Sequence, residues 1–345
     1  MRLLIVTQVV DKNDPVLGFF HRWIEELATQ YDTIEVICLQ KGEFVFPESV
    51  RVFSLGKERG ASRPLRIARF LYLAATRSHR AESILVHMNP EYVVLAGWFW
   101  RLLGKRVGLW YNHEVASQWF SVAQHVANVV FHTSPFAASA RARHARRMPA
   151  GIDTKLFAKG QESRVPNSIY FQGRVAPAKR VHVLLEAVRR VRASGILATL
   201  TVVGPCDPEY AEGLRSQFKE LFAAGAVSLR GPVVNERTPT MYASHTVSVN
   251  LTAAGNYDKT VLESASCETP VIVGSAAFAG LVPSEWVVEG TDPEQLARAL
   301  REFLQLPEAQ QRALGHMLRA RVVEQHSLEG LARELYAQLN PEPIL

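Results

Sequence analysis

Apolar positions along the chain fall into short β-branched runs separated by longer stretches of helical period. RLLIVTQ (2–8), IEVICL (34–39), VRVFSL (50–55), SILVHM (83–88), RVGLWYN (106–112) and VVFHTS (129–134) have the length and residue types of buried strands. Between them, GFFHRWIEELATQ, RPLRIARFLYLAATRS and EYVVLAGWFWRLLG repeat apolar residues at three- and four-residue spacing, as amphipathic helices do. Such alternation predicts a parallel sheet covered on both faces. The pattern restarts after MPAGIDTKLF (148–157) with SIYFQGR, a helix over 179–194, ATLTVVG, a helix over 208–223, VSLRG and a short helix over 237–243. TVSVNLT, TPVIVG and EWVVEG follow, then a nearly all-helical tail over 293–339. Two doubly wound domains are expected, 1–150 and 151–345, joined near 149–166, with the tail belonging to the second.

Composition adds a compartment and a charge asymmetry. The chain has 345 residues, 48% hydrophobic and 21% charged, enough for two cores of about 150 residues each. Cys38, Cys206 and Cys267 form no Cys-x-x-Cys pair, which disfavours both a disulfide framework and a zinc site and points to a reducing cytoplasm. MRLLIVTQVV carries one basic residue and reads as a buried strand, not a signal peptide. Residues 1–150 hold 19 Lys and Arg against 12 Asp and Glu, whereas the rest holds 20 against 21. A basic first half suits an anionic partner, either a membrane surface or an anionic acceptor, or serves solubility alone. The helix over 62–80, with Arg63, Arg66 and Arg69 beside Leu65, Phe70, Leu71 and Leu73, either lies on an anionic leaflet or packs in the core with a solvated arginine face; RARHARR (141–147) extends the same basic surface. A nucleic-acid binder is disfavoured, because neither an aromatic stacking platform nor a reading helix accompanies the charge.

Open α/β sheets bind ligands beyond the carboxyl ends of their strands, so candidate chemistry is sought there. In FQGRVAPAKRVHVLLEAV a strand ends at Gly173, and Arg174 and Lys179 stand five residues apart beside a helix start. Two cations near free helix N–H groups suit a diphosphate; equally they are the charges of a solvated loop. Thr260-Val-Leu-Glu263 fits a capping box, with Thr260 at the N-cap and Glu263 reaching back, yet a carboxylate there can also accept hydrogen bonds from vicinal sugar hydroxyls. The pattern leaves both readings open. Neither G-x-G-x-x-G nor G-x-x-x-x-G-K-[ST] occurs, which disfavours dinucleotide and P-loop enzymes. His21, His87, His113 and His132 fall near strand ends without the spacing of a metal cage.

The ordered series GIDTKLF, GRVAPAKRVHVLLEAV, TVVG, VSLRGPV, MYASHTVSVN and TVLESASCETPVI resembles the family 4 retaining glycosyltransferases. The likeness runs over almost the whole chain and is more specific in its second half. It implies the α/β GT-B fold, two Rossmann-like doubly wound parallel-sheet domains facing a central cleft, and transfer of a sugar from a UDP- or GDP-linked donor to a glycan or lipid-linked acceptor. A part in cell-envelope polysaccharide or glycolipid synthesis is also expected, with neither metal nor cofactor. By the same resemblance Arg174 and Lys179 hold the donor diphosphate, His113 approaches the donor sugar, and Glu263 binds the ribose. Gly231, Pro232 and Val233 lie along the base, Gly18 lies near the phosphates, and Gly173, Lys259, Thr260, Val261 and Leu262 complete the donor site. The chain departs from the family pattern at four places. Gly255 stands where the family has a first glutamate, Asp258 and Lys259 replace a glycine and an apolar residue, Phe19 follows Gly18 in place of a second glycine, and Arg180 replaces a glycine. Asp258 is expected to take over contact with the sugar hydroxyls as a catalytic-site residue. The alternatives are a nucleotide-sugar 2-epimerase and a catalytically degenerate relative.

Overall fold

A computed structural model describes residues 1–14, 16–253 and 257–341. The chain forms two compact units, residues 1–151 with 328–345 and residues 152–327. The first contains β1 (Arg2–Val10), α1 (Gly18–Leu27), β2 (Thr33–Lys41), β3 (Val50–Ser54), α2 (Arg63–Ser78), β4 (Ser83–His87), α3 (Pro90–Leu102), β5 (Arg106–Trp110), α4 (Gln118–Val126), β6 (Val129–His132) and β7 (Ala145–Arg147). All pairs are parallel, in the order β3-β2-β1-β4-β5-β6-β7. Parallel neighbours require a crossover, and the crossover helices cover the sheet. Phe70 and Ala74 of α2, Val93 and Trp100 of α3, and Phe120 and Val126 of α4 fill the core on one face. Phe20, Trp23 and Ile24 of α1 fill the other. The strand β7 is made of Ala-Arg-Arg, a charged edge that the apolar pattern did not predict.

The second unit contains β8 (Val165–Gln172), α5 (Val181–Ala193), β9 (Thr199–Val203), α6 (Pro208–Gln217), α7 (Lys219–Ala223), β10 (Val227–Arg230), α8 (Thr238–Ala243), β11 (His245–Asn250), α9 (Lys259–Ser266), β12 (Val271–Val273), α10 (Pro293–Leu304) and α11 (Glu308–His326). Its parallel sheet runs β10-β9-β8-β11-β12. Two expectations fail here for local reasons. The single helix over 208–223 breaks at Phe218, whose buried ring is reached through a non-helical φ of −117°. EWVVEG is not a strand: Val287 makes one isolated bridge to Val273 at the end of the three-residue β12, and Val288 donates a single bond to the Val273 carbonyl at 2.9 Å.

The tail divides. Helices α10 and α11 stay with the second unit, but α12 (Leu328–Leu339) packs in the first, contrary to the expected assignment. Leu328, Leu331, Leu335 and Leu339 enter the same core as Trp23 and Phe131. Gly108 on β5 makes room for them, since an added Cβ would lie 2.7 Å from both the Leu339 and Phe131 side chains. Leu335 is fully buried, so Leu335→Ala should cost about 2–5 kcal/mol in the unfolding of the first unit, measured by guanidinium titration.

Candidate functional site

In the second unit the chain leaves β8 for β9 on one side, while β11 pairs with β8 on the other, so the carboxyl ends of β8 and β11 flank a topological switch point. Gly173 (φ 153°) directly follows β8, and Gly204 (φ 144°) directly follows β9. An added Cβ at Gly204 would run into the Gly173 carbonyl, so the two strand ends come together only without a side chain at Gly204. Arg174 follows, exposed to solvent. Backbone bonds from Val175 N to the Pro205 carbonyl (2.9 Å) and from Asp207 N to the Val175 carbonyl (3.0 Å) fix its loop. A single 3-10 turn, Pro177–Lys179, then delivers Lys179 to the site immediately before α5.

Arg180, where the resembled family has glycine, takes the left-handed conformation (φ 54°, ψ 37°), at a cost of about 1–2 kcal/mol for a side chain bearing Cβ. Its guanidinium Nη1 reaches the Leu251 carbonyl at 3.4 Å, just beyond β11.

Beyond β11 lies a closed polar network. Asn250 accepts from the Thr252 amide (3.0 Å) and donates to Thr260 Oγ1 (3.0 Å). Asp258 is the N-cap of α9. Its Oδ1 accepts from the Thr260 amide (3.3 Å) and the Thr260 hydroxyl (3.1 Å), and its Oδ2 accepts from Lys179 Nζ (2.5 Å) and the Thr252 hydroxyl (3.0 Å). Lys179 also donates to Thr252 Oγ1 at 3.0 Å. Four donors occupy the roughly four lone-pair sites of a carboxylate. Burial alone would raise the Asp258 pKa, but the Lys179 charge and hydrogen bonds outweigh it and hold the group below its ordinary value.

The capping box expected from Thr260 and Glu263 is therefore not formed. Asp258 caps the helix instead, because it lies at the strand-to-helix junction where it also meets Lys179, and Glu263 falls in the second turn. There Glu263 accepts from the Tyr242 hydroxyl at 3.4 Å and faces Lys259 one turn earlier. Burial pushes Glu263 up to about 7 and Lys259 down to about 7, each opposed by the charge of the other. Val261 and Leu262 are fully buried and anchor α9. Gly231, Pro232 and Val233 form the loop after β10. Gly255 lies outside the described residues. Asn250, Thr252 and Tyr242 were not singled out in the sequence; the available signal was a polar pair, Asn250 and Thr252, at the end of an otherwise apolar run.

In the first unit, Gly18 opens α1, and an added Cβ would lie 2.9 Å from the Lys12 carbonyl. Asp14 accepts from the Val16 and Leu17 amides ahead of it (2.9 and 2.7 Å). His113 follows β5 in an exposed loop, its ring 5.2 Å from that of Tyr111. Asn112 beside it accepts from the Thr133 and Ser134 amides at 3.0 Å each, tying the ends of β5 and β6. His87 stacks on Phe20 at 4.1 Å and His21 on Phe46 at 4.2 Å, as structural histidines do. Burial lowers the His132 pKa, and its ring meets the Ser134 carbonyl at 3.0 Å. Among the described residues no cluster of three potential metal ligands occurs.

Residues 166–306 match the family model described as Glycosyl transferases group 1. The matched stretch lies within the second unit. D-inositol 3-phosphate glycosyltransferase of Streptomyces griseus subsp. griseus is 30% identical to this chain over 165 residues, 44% of this chain and 34% of that protein. The match to that enzyme from Streptomyces avermitilis is 28% over 158 residues, so the aligned part spans about a third of the length of these curated relatives. The fold extends further. HepE from Anabaena, solved with UDP and glucose, superposes with a TM-score of 0.75 at 16% identity over 98% of this chain and 99% of that one. Sucrose-phosphate synthase from Thermosynechococcus elongatus gives 0.75 at 20% identity over the same shares. Two Rossmann-like units of the GT-B fold are thus present.

The network around Asp258 makes a pH-dependent contribution to the stability of the second unit. Because the folded-state pKa of Asp258 is depressed, its contribution is complete above the unfolded value near 3.9 and disappears as pH falls through the lower folded value. Asp258→Ala should cost about 2–4 kcal/mol at neutral pH and flatten the acid limb of the stability curve, measured by denaturant titration across pH.

Proposed function

We propose that the chain is a retaining glycosyltransferase that moves a sugar from a nucleotide diphosphate sugar to a glycan or lipid-linked acceptor in cell-envelope polysaccharide or glycolipid synthesis, on the cytoplasmic side where such donors are made. The observation that carries this reading is Lys179, set by its turn at the β8/β11 switch point with its ammonium fixed by Asp258 and Thr252. HepE and its UDP complexes supply the analogy for a uridine donor. Asp258, with four donors already on its oxygens, is a positioning residue for Lys179 rather than a contact for the sugar hydroxyls. Glu263, half-buried on α9 and bonded only weakly to Tyr242, is the carboxylate suited to the ribose diol. Gly231 to Val233 run along the base.

In the reaction the bond between the anomeric carbon and the diphosphate oxygen breaks, and its electron pair leaves with the diphosphate. Arg174 and Lys179 stabilise that charge, the part a divalent metal plays elsewhere, so the reading is metal-independent. The acceptor hydroxyl attacks from the face the diphosphate leaves and passes its proton to a leaving phosphate oxygen, which preserves the anomeric configuration without an enzymatic nucleophile.

A screen of UDP, GDP and ADP should give one nucleotide that raises the melting temperature by several degrees at saturating concentration. With that donor and an acceptor, Lys179→Ala should lower turnover by about 30- to 1000-fold, equivalent to about 2–4 kcal/mol of transition-state stabilisation. Undiminished turnover in this variant overturns the assignment. An epimerised donor formed without acceptor would identify an isomerase instead.

A further inference from the structure

The helical layer α2–α3–α4 of the first unit is apolar on the side that faces water. On α3, Tyr92, Val93, Ala96 and Trp100 point into the core, while Leu95, Trp98, Phe99 and Leu102 form a second stripe at i, i+3, i+4 and i+7 on the outside. Trp98 is 62% exposed and Leu102 87%. A helix apolar on both faces is ordinarily covered on both. On α2, Phe70, Ala74 and Ser78 are the buried positions, and Leu65, Ala68, Tyr72 and Ala75 follow one another on the opposite face at spacings of three, four and three, with Tyr72 66% exposed. Trp119 and Val122 of α4 are half-exposed in the same way.

The three helices are fixed side by side. Trp100 Nε1 donates to the Ala74 carbonyl at 3.3 Å, and Arg101 Nη1 donates to the Val126 carbonyl at 2.9 Å. Gly97 lets α3 approach α4, since a Cβ there would lie 2.7 Å from Val126. The outward stripes are therefore parts of one rigid surface, not separate excursions of mobile side chains.

The arginines of α2 do not form the outer face expected of a solvated helix. Arg69 donates to the Leu55 carbonyl at 3.2 Å, and the Arg77 guanidinium lies 4.2 Å over the Phe53 ring. They gather along the flank of the layer, toward β3. On that flank a cavity of about 390 Å³ is lined by Lys41, Arg59 and Arg69, with Glu58, Ser54 and Tyr72. Its one carboxylate, Glu58, is engaged by the Ser54 hydroxyl at 2.7 Å. Residues 62–126 as a whole hold eight Lys and Arg against three Asp and Glu.

We propose that this surface docks on an anionic lipid bilayer. The stripes of α2, α3 and α4 enter the boundary between headgroups and acyl chains, Trp98 and Trp119 lie at headgroup depth, and the cationic cavity beside Tyr72 receives an anionic headgroup. The charge selects this occupant. A second copy paired through the same patch would set one basic flank against another, whereas an anionic leaflet satisfies the apolar and the basic parts together. Nothing in this proposal depends on the donor or on the transfer reaction.

The test uses the full chain with vesicles of phosphatidylcholine alone and of phosphatidylcholine mixed with phosphatidylglycerol. At low salt the protein should sediment with the mixed vesicles, remain in solution with the neutral ones, and be released as salt rises. Leu95→Ser combined with Trp98→Ser and Leu102→Ser should weaken partitioning by about tenfold or more, with an unchanged melting temperature because all three side chains already face water in the free chain. Lys41→Glu with Arg59→Glu should remove the preference for the anionic lipid. Independently of stripe variants, the tryptophan emission should shift to the blue on mixed vesicles, and the shift should shrink in Trp98→Phe. Absence of sedimentation at low salt, or undiminished binding by the triple variant, overturns the proposal. So does a dimer in light scattering that the triple variant dissociates while the wild type ignores vesicles, an outcome that assigns the face to a second copy.

Discussion

The Asp258 carboxylate joins every element that meets at the switch point of the second unit. Lys179 reaches it from the turn after β8, Thr252 from the segment after β11, and Thr260 from the first turn of α9. Each is a partner that water would otherwise satisfy, and a buried carboxylate is tolerated because all four bonds are made at once. Removing any one donor leaves a buried carboxylate lone pair unsatisfied, so the network fixes the lysine position as a unit. The anion position at the start of α9 is itself filled by this side chain.

The first unit answers to a different constraint. Seven parallel strands leave two wide faces to be covered, and the chain supplies three helices to one and one crossover helix to the other. Trp23 and Phe131 on the thinner side would stand against solvent without α12, and Gly108 is where the sheet makes room for it. Coverage by a segment drawn from far along the chain is a consequence of strand count, not of any chemistry at the site.

Strands and helices were legible because burial on both faces of a parallel sheet leaves continuous apolar runs, and the intervening helices leave a 3.6-residue period. Their partners were not. Leu328, Leu331, Leu335 and Leu339 spell an apolar stripe, but a stripe does not say which of two sheets it covers. At the start of α9 the local pattern showed only the Thr260–Glu263 capping box, and Asp258 was read as a contact for sugar hydroxyls; the partner that fixes Asp258, Lys179, lies 79 residues away in sequence. The arginines of α2 recur at three-residue intervals and read as a water-facing side, whereas Leu55 and Phe53, the groups that draw Arg69 and Arg77 sideways, belong to the preceding strand and its end. In each case the residues were visible, and what was missing was the distant group that chose between their local options.

The return of α12 also sets an order of events during synthesis. A ribosome makes all of residues 152–327 before it makes the segment that completes the core around Trp23 and Phe131. Until then the first unit is an incomplete sheet with part of one face uncovered. Nascent chains of this protein carry that exposed face for the whole time needed to translate the second unit, an interval in which chaperones rather than packing must keep the first unit from aggregating.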